Sequence, residues 1–228
     1  VNLKNKPFMI NTETCTLSTE TLIIATGASA MWLGLESEQR LRGKGVSACA
    51  VCDGFFFRGK SVAVIGGGDT AAREINYLSK LCKQVIVIHR REKLRAQAAL
   101  QELIKSKPNV KFIWNCVVEE VLGEDKVTGV KVKNTQTGDI SALGIDGLFI
   151  AIGHKPNTEF LKGQLELDKK GYAVVTNRTL TKIPGVFVAG DIADYKYRQA
   201  VTAAGAGCKA AFDAEEYLAA LKLPTETT

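Results

Sequence analysis

The sequence has no long apolar segment and few cysteines. None of its apolar runs approaches the ~18 residues needed to cross a bilayer, and no charged segment leads into an apolar signal region. Six cysteines in 228 residues are too few for a disulfide scaffold. The sequence therefore gives no sign of a helical membrane span or a cysteine-rich framework, and we expect neither a membrane nor a nucleic-acid partner.

Histidine is also scarce. Cys49 and Cys52 form a C-x-x-C pair that could be half of a zinc site, but a closed tetrahedral site needs two further ligands. The only histidines are His89 and His154, and there is no second C-x-x-C. We therefore expect no metal, and a pair of this kind near a βαβ unit is better explained as a redox dithiol in a reducing compartment, the cytoplasm. The other cysteines are isolated: Cys15, Cys82, Cys116 and Cys208.

The bulk composition fits an ordinary globular enzyme. With 46% hydrophobic and 24% charged residues, the chain can bury one or two cores. The net charge of +6 has two explanations that the sequence leaves open. It is either a solvated Lys/Arg surface or a field that steers an acidic partner or a phosphorylated cofactor.

The apolar pattern alternates between short strands and helices. Helical spacing at residues 70–81 and 96–106 separates strand-like runs, which predicts a βαβ crossover and a parallel sheet. Residues 110–132 are predicted to form a β-meander, and residues 200–221 a long amphipathic helix. The predicted strands cover residues 22–25, 61–65, 84–89, 148–152 and 185–191.

A Gly-rich turn follows the strand at residues 61–65. Gly66 allows a tight turn, Gly68 lets backbone N–H groups approach a pyrophosphate, and Ala71 lets the following helix pack close to the sheet. Asp69 ends the turn and Thr70 begins the helix, whose positive end favours phosphate, so both are candidate nucleotide-binding residues. Such a turn can also be purely structural, but its position between strand and helix favours a dinucleotide.

A basic cluster at the end of the next strand indicates which dinucleotide binds. An NAD site usually carries an Asp or Glu ~20 residues beyond the glycines. This chain instead has His89, Arg90 and Arg91, with Arg95 about one helical turn further on. Guanidinium groups bind a ribose 2′-phosphate through charge-assisted hydrogen bonds. The cluster favours NADPH; the alternative is a solvated basic loop.

The cysteine pair completes the chemistry. Cys49 and Cys52 can accept two electrons as a disulfide, and Asp53 offers a carboxylate for general acid–base catalysis of the thiol step. Asp53 could alternatively be a helix cap. Together these motifs predict an NADPH-dependent disulfide oxidoreductase.

The chain resembles the low-molecular-weight thioredoxin reductases. The resemblance rests on residues 46–54, 66–69 and 89–96 described above, and on four further segments: residues 25–30, 151–158, 189–191 and 197–200. It implies an FAD-dependent homodimer in which electrons pass from NADPH to FAD, then to the Cys49–Cys52 disulfide, then to thioredoxin. Asp53 would be the acid, and Ile152 would belong to the NADP site. The residues implied to contact FAD are Thr26, Gly27, Asp191, Arg198, Gln199 and Ala200.

The resemblance also implies a domain plan. We expect an α/β fold with a Rossmann-like NADPH-binding domain, residues 32–152, comprising a parallel sheet, helices on both faces and a β-meander. This domain would be inserted into an FAD-binding domain formed by residues 1–31 and 153–228. Family members begin with their own strand, Gly-rich turn and helix, whereas this sequence has one such turn, at Gly66. We therefore expect an incomplete FAD-binding domain.

Three other functions stay open at this stage. The chain could be an NADPH-binding fragment without turnover, or a related flavoprotein disulfide reductase that feeds electrons to a peroxidase. The residues between the cysteines, Ala50 and Val51, argue against the second of these. A thioredoxin-like oxidoreductase is a weaker third, because its cysteines would open the first helix of a much smaller domain.

Overall fold

The computed structural model describes residues 1–221. Contacts between residues divide the chain into two units. We call Ala30–Gly153 the central unit, and we call residues 1–29 together with residues from 154 onward the split unit. Their assignment to NADPH and FAD remains a prediction.

Residues 1–221 contain five α-helices and fourteen β-strands. The helices are α1 (Glu36–Arg40), α2 (Ala50–Asp53), α3 (Asp69–Leu78), α4 (Ala98–Lys105) and α5 (Ala200–Leu221). The strands are β1 (Phe8–Asn11), β2 (Thr16–Thr19), β3 (Leu22–Ile24), β4 (Ala28–Ala30), β5 (Val46–Ser47), β6 (Ser61–Ile65), β7 (Gln84–His89), β8 (Val110–Trp114), β9 (Cys116–Leu122), β10 (Gly129–Asn134), β11 (Ile140–Gly144), β12 (Gly147–Ile150), β13 (His154–Pro156) and β14 (Val186–Val188).

A five-stranded parallel sheet forms the core of the central unit. Its order is β5-β12-β6-β7-β8, and each neighbouring pair is parallel. The middle strands are almost continuously apolar and buried, as expected when both faces of a parallel sheet are covered. The α/β fold with a parallel sheet is therefore confirmed.

Helices α3 and α4 cover one face of this sheet. In α3 the buried residues fall on one side of the helix: Ala71, Ala72, Ile75 and Leu78. They pack with Ile104 of α4 against alternate residues of β6 and β7. Fully burying a side chain such as Ile75 or Leu78 stabilises the fold by roughly 1.5–3 kcal/mol, so this apolar side fixes α3 against the sheet.

An antiparallel meander covers the other face. It consists of β9, β10 and β11, with the short helix α1 beside β9. The sequence placed the meander at residues 110–132, which is wrong at both ends. Residues 110–114 are β8, a parallel strand next to β7, and the meander continues to Gly144. The break between β8 and β9 is Asn115, whose φ of 54° is a conformation that Asn tolerates better than most residues.

Both predicted helices are shorter than the pattern indicated. α3 ends at Leu78 rather than residue 81, because the Asn109 side chain donates hydrogen bonds to the Ser79 and Cys82 carbonyls. α4 begins at Ala98 rather than residue 96, because the backbone of Gln97 is not helical, with a ψ of 145°.

The split unit contains three two-stranded pairings, β1-β2, β13-β4 and β14-β3. β3 and β14 run parallel, which confirms two of the predicted strands. Their buried side chains form a core with Leu161 and Ile192, and Ala210 and Ala214 of α5 pack against Phe187. α5 covers the predicted residues 200–221. No helix within the described residues is long and apolar enough to cross a membrane.

Candidate active site

The Gly-rich turn lies at the carboxyl ends of β6 and β12. Gly66 has a φ of +151°, and a Cβ on it would lie 2.4 Å from the Ala151 carbonyl oxygen and 2.8 Å from Ala71 Cβ. Only glycine fits so close to the end of β12 and the first turn of α3. The packing therefore matches the structural roles predicted for Gly66 and Ala71.

Gly68, unlike Gly66, faces open space. It precedes α3 with an extended backbone, and a Cβ on it would meet no atom within 4 Å. Asp69 and Thr70 form the first turn of α3, and the helix N-terminus supplies N–H groups and a positive dipole end. The turn thus leaves room for a pyrophosphate where a nucleotide is predicted to bind.

The basic loop is tied to this turn through its backbone. The Gly67 carbonyl accepts hydrogen bonds from the N–H groups of Arg95 (2.6 Å) and Ala96 (3.0 Å). Asp69 Oδ1 accepts another, from the Gln97 N–H at 2.8 Å. Because β6 and β7 are parallel neighbours, the turn and the loop follow the same edge of the sheet. The predicted pyrophosphate and 2′-phosphate sites therefore lie together.

His89 lies beneath the turn, while the arginines are at the surface. Its ring is only 5% exposed, and Nε2 is 3.1 Å from the Lys93 carbonyl oxygen, so that nitrogen is assigned the proton. Burial lowers the pKa of His89, and the charges of Arg95, Arg91 and Arg90 lower it further against the opposing hydrogen bond to Lys93. A neutral, buried ring supports the Gly-rich turn. Direct phosphate contact is better suited to the exposed Arg90, Arg91 and Arg95.

Substituting Gly67 and Gly68 should give opposite results. A Cβ on Gly67 would lie 2.2 Å from the His89 ring, so Gly67→Ala should lower the free energy of unfolding by ~1–3 kcal/mol, the usual cost of overpacking. Gly68→Ala should leave the Tm unchanged but weaken NADPH binding, because its methyl group stands where the pyrophosphate approaches. Thermal denaturation and NADPH titration measure the two effects. Normal NADPH affinity in Gly68→Ala would contradict this placement.

Cys49 and Cys52 form a disulfide. They flank the first turn of α2, and the Cys52 N–H donates to Cys49 Sγ at 3.2 Å. Cys52 is exposed and Cys49 is partly buried. The bond is held in place by the central unit yet open on one side, which leaves it accessible to an exchanging thiol.

Asp53 accepts a hydrogen bond from a serine that sequence reasoning had missed. Ser47 Oγ donates to Asp53 Oδ2 at 2.5 Å and accepts from the Cys49 N–H at 3.0 Å. Asp53 is the last residue of α2 and occupies the N-cap position of the 3-10 turn at Gly54–Phe57, but its side chain makes no capping hydrogen bond there. Its carboxylate is instead hydrogen-bonded to Ser47 Oγ, which also accepts the Cys49 N–H.

We expect a stepwise thiol count that isolates the redox pair. In air-oxidised protein, alkylation under native conditions should label the exposed Cys15 and Cys208. Denaturation should add the buried Cys82 and Cys116, and burial raises the pKa of the Cys82 thiol to about 11. Only reductant should expose the remaining pair to alkylation. Mass spectrometry after each step checks this, and labelling of Cys49 and Cys52 in oxidised, unreduced protein would count against a redox role.

The residues implied to contact FAD lie together in the split unit. Thr26 and Gly27 follow β3, Asp191 follows β14, and the two strands are parallel neighbours, so their carboxyl ends share one edge, where α/β folds bind ligands. Asn157 holds the first segment: its Nδ2 donates to the Thr26 carbonyl, and its N–H to the Gly27 carbonyl.

Arg198, Gln199 and Ala200 lie near the same edge, at the carboxyl ends of β3 and β14. The backbone N–H groups of residues 196–198 converge on the Asp194 carboxylate. Burial raises the pKa of Asp194, but these hydrogen bonds and the Arg198 charge outweigh burial and hold that pKa below its usual value. Burial lowers the pKa of His154, and the Arg198 charge lowers it further.

Asp191 shows that this edge suits a polar ligand. Its Oδ1 is buried without a hydrogen-bond partner among the described residues. Burial and the Asp194 charge raise the pKa of Asp191, against the Arg198 charge. A buried acceptor without a donor is costly, and a ribityl hydroxyl could supply one. The residues present therefore fit the flavin and ribityl end of FAD.

Comparison with known proteins agrees with this arrangement. A dinucleotide turn and a disulfide in one unit define a pyridine nucleotide-disulphide oxidoreductase, and residues 1–207 match the family model of that description. The chain is 55% identical to a thioredoxin reductase of Coxiella burnetii, covering 96% of this chain and 72% of that protein. A solved structure of thioredoxin reductase from Giardia duodenalis matches with a TM-score of 0.88 at 43% identity, over 96% of this chain and 72% of that one. The chain belongs to the low-molecular-weight thioredoxin reductase family, which confirms the resemblance.

One further relative carries a different name. A glucosaminate ammonia-lyase of Pseudomonas fluorescens is 48% identical, over 99% of this chain and 73% of that protein. Sequence identity alone therefore does not fix the reaction within this family. The Cys49–Cys52 disulfide and the residues around it carry the information on the reaction.

Proposed function

We propose that the protein is an NADPH-dependent thioredoxin-disulfide reductase. Arg90, Arg91 and Arg95 would hold the 2′-phosphate of NADPH, and the turn from Gly66 to Asp69 its pyrophosphate. Ile152 follows β12 at the same edge. FAD, when bound, would transfer electrons from the nicotinamide of NADPH to the Cys49–Cys52 disulfide. Asp191, Arg198 and the neighbouring segments named above would hold it.

The surface around the disulfide is the observation that carries this proposal. Val51 is 57% exposed, and Phe55 and Phe56, just beyond the pair, are 64% and 71% exposed. Adjacent exposed apolar side chains mark protein interaction sites. A disulfide set in such a surface is suited to a protein disulfide such as that of thioredoxin.

The chain's own groups account for the thiol chemistry. In the reduced chain, one cysteine sulfur attacks one sulfur of the thioredoxin disulfide, which forms a mixed disulfide and releases the other thioredoxin sulfur as a thiolate. The second cysteine then attacks the mixed disulfide, closes the Cys49–Cys52 bond and releases the remaining thioredoxin sulfur. Two electrons and two protons pass to thioredoxin, and Asp53 would take a proton from one sulfur and return it to another.

Two further features belong to the same proposal. Four cysteines are free thiols and two of these are exposed, which favours a reducing compartment, the cytoplasm. The family resemblance also implies a homodimer. Analytical ultracentrifugation of the protein with FAD measures its mass in solution.

Single-turnover exchange tests the proposed reaction without requiring flavin. The chain is reduced with dithiothreitol, freed of reductant and mixed with a purified, oxidised bacterial thioredoxin. Samples are quenched in acid, alkylated and weighed. Thioredoxin should gain two thiols while the chain loses the thiols of Cys49 and Cys52.

The control is the Cys49→Ser/Cys52→Ser double variant, which retains the four other cysteines and should transfer nothing. An oxidised peroxidase, offered in place of thioredoxin, tests the alternative electron acceptor. Exchange with the peroxidase alone would replace the proposal by the peroxidase-feeding function, and exchange with neither would leave a nucleotide-binding fragment.

A further inference from the structure

Ser47 connects the two chemical groups of the dithiol site. It is the last residue of β5 and only 8% exposed. Its Oγ is 2.5 Å from Asp53 Oδ2, 3.0 Å from the Cys49 nitrogen and 3.4 Å from the Cys49 carbonyl oxygen. Cys49 and Asp53 are thus joined through one hydroxyl.

The single hydroxyl proton sets the direction of this chain of hydrogen bonds. A hydroxyl donates once and accepts up to twice. The short contact to the carboxylate is the favoured donor bond, since hydrogen bonds to charged acceptors are shorter and stronger than neutral ones. Ser47 Oγ therefore donates to Asp53 and accepts from the Cys49 N–H, and the 3.4 Å approach to the Cys49 carbonyl is secondary.

The backbone of Ser47 is held in the parallel sheet. β5 pairs with β12, with Ser47 opposite Phe149, which is completely buried. A side chain on a strand is held more tightly than one on a loop. Asp53 lies beyond the two cysteines in the chain. Its hydrogen bond to Ser47 therefore fixes its position relative to the sheet.

We propose that Ser47 is a positioning residue that holds Asp53 and Cys49 in register for proton transfer during disulfide exchange. This inference rests on the proposed function, because it assigns Ser47 a part in the same reaction. A purely structural role at the end of β5 accounts for the hydrogen bond from the Cys49 N–H to Ser47 Oγ. It does not account for the hydrogen bond from Ser47 Oγ to the Asp53 carboxylate.

A double-mutant cycle on the exchange rate tests the link. Ser47→Ala should slow single-turnover exchange with oxidised thioredoxin by about tenfold, the effect of losing one hydrogen bond to a charged group. In an Asp53→Asn background the same substitution should change the rate by less than about twofold, because residues that act through one another are not additive. Ser47→Thr, which keeps the hydroxyl, should restore most of the rate.

Ser37→Ala is the matched control. Ser37 Oγ also accepts a backbone N–H, from Val121 at 3.0 Å, but it lies outside the dithiol site, and its loss should leave the rate unchanged. Equal losses from Ser47→Ala in both backgrounds, or no loss in either, would overturn the inference. No exchange even in the unsubstituted chain would overturn the proposed function instead.

Hydrogen exchange in the unsubstituted chain gives a second test that needs no variant. The Cys49 N–H should be protected in deuterated water, because it donates to Ser47 Oγ inside the site. Rapid exchange at Cys49 would contradict the link whether or not Ser47→Ala folds.

Discussion

Purified by themselves, residues 1–228 should be colourless or contain much less than one flavin per chain. Because the proposed electron transfer from NADPH requires bound FAD, they should be inactive with NADPH and thioredoxin, although the full-length reductase that the chain resembles would be active. Asp191 and residues 198–200 can hold the ribityl chain and part of the ring system. Within residues 1–221, the one Gly-rich turn that leads from a strand into a helix is at Gly66, and it is predicted to serve NADPH. The FAD pyrophosphate would therefore lack such a turn.

The expected loss of flavin affinity is large. Charge-assisted contacts to phosphate are among the stronger terms in a nucleotide site. Losing three at about 2 kcal/mol each weakens binding by roughly 10⁴-fold. An absorbance spectrum measures the flavin content directly. One tightly held flavin per chain, bleached by NADPH, would show that these 228 residues suffice for the flavin site.

The second large effect concerns the choice of nucleotide. Arg90→Gln/Arg91→Gln should weaken NADPH binding by about 100-fold, at tenfold or more for each lost charge-assisted hydrogen bond. NADH affinity should change little, since NADH has no 2′-phosphate. Titration of both nucleotides against the double variant measures the change in preference.

Arg58→Gln is the control for overall charge. Arg58 precedes β6, so it lies towards the opposite edge of the sheet from the arginines that follow β7, and its loss should affect neither nucleotide. An unchanged preference for NADPH in the Arg90/Arg91 variant would make the assignment of the basic loop wrong.

The sequence predicted the elements that local pattern controls. Apolar runs at β6 and β7, with a Gly-rich turn and a helix between them, are a local signal for a parallel crossover. The meander was placed wrongly because β8, like a meander strand, is short and only partly apolar. Its parallel pairing with β7 is a long-range choice that local alternation does not record.

The same distinction between local pattern and long-range packing applies to the site residues. Positively charged side chains after a strand can be recognised from sequence, whereas the burial of His89 under Gly67 depends on how the turn and loop pack. Ser47 was missed because its two partners are settled only when α2 folds back towards β5. A serine two residues before the first cysteine was the available signal, since Ser often accepts a backbone N–H two residues on.

Trapping a covalent complex tests the central claim most directly. A thioredoxin with one active-site cysteine replaced by serine, and the other activated as a thionitrobenzoate mixed disulfide, is added to reduced chains bearing Cys49→Ser, Cys52→Ser or both. At least one single variant should release one equivalent of thionitrobenzoate and gain the mass of thioredoxin. The double variant should form adduct far more slowly, because only the exposed Cys15 and Cys208 can then react. Adducts that form equally well in the double variant, or in none of the three, would contradict the assignment of Cys49 and Cys52 as the pair that reduces thioredoxin.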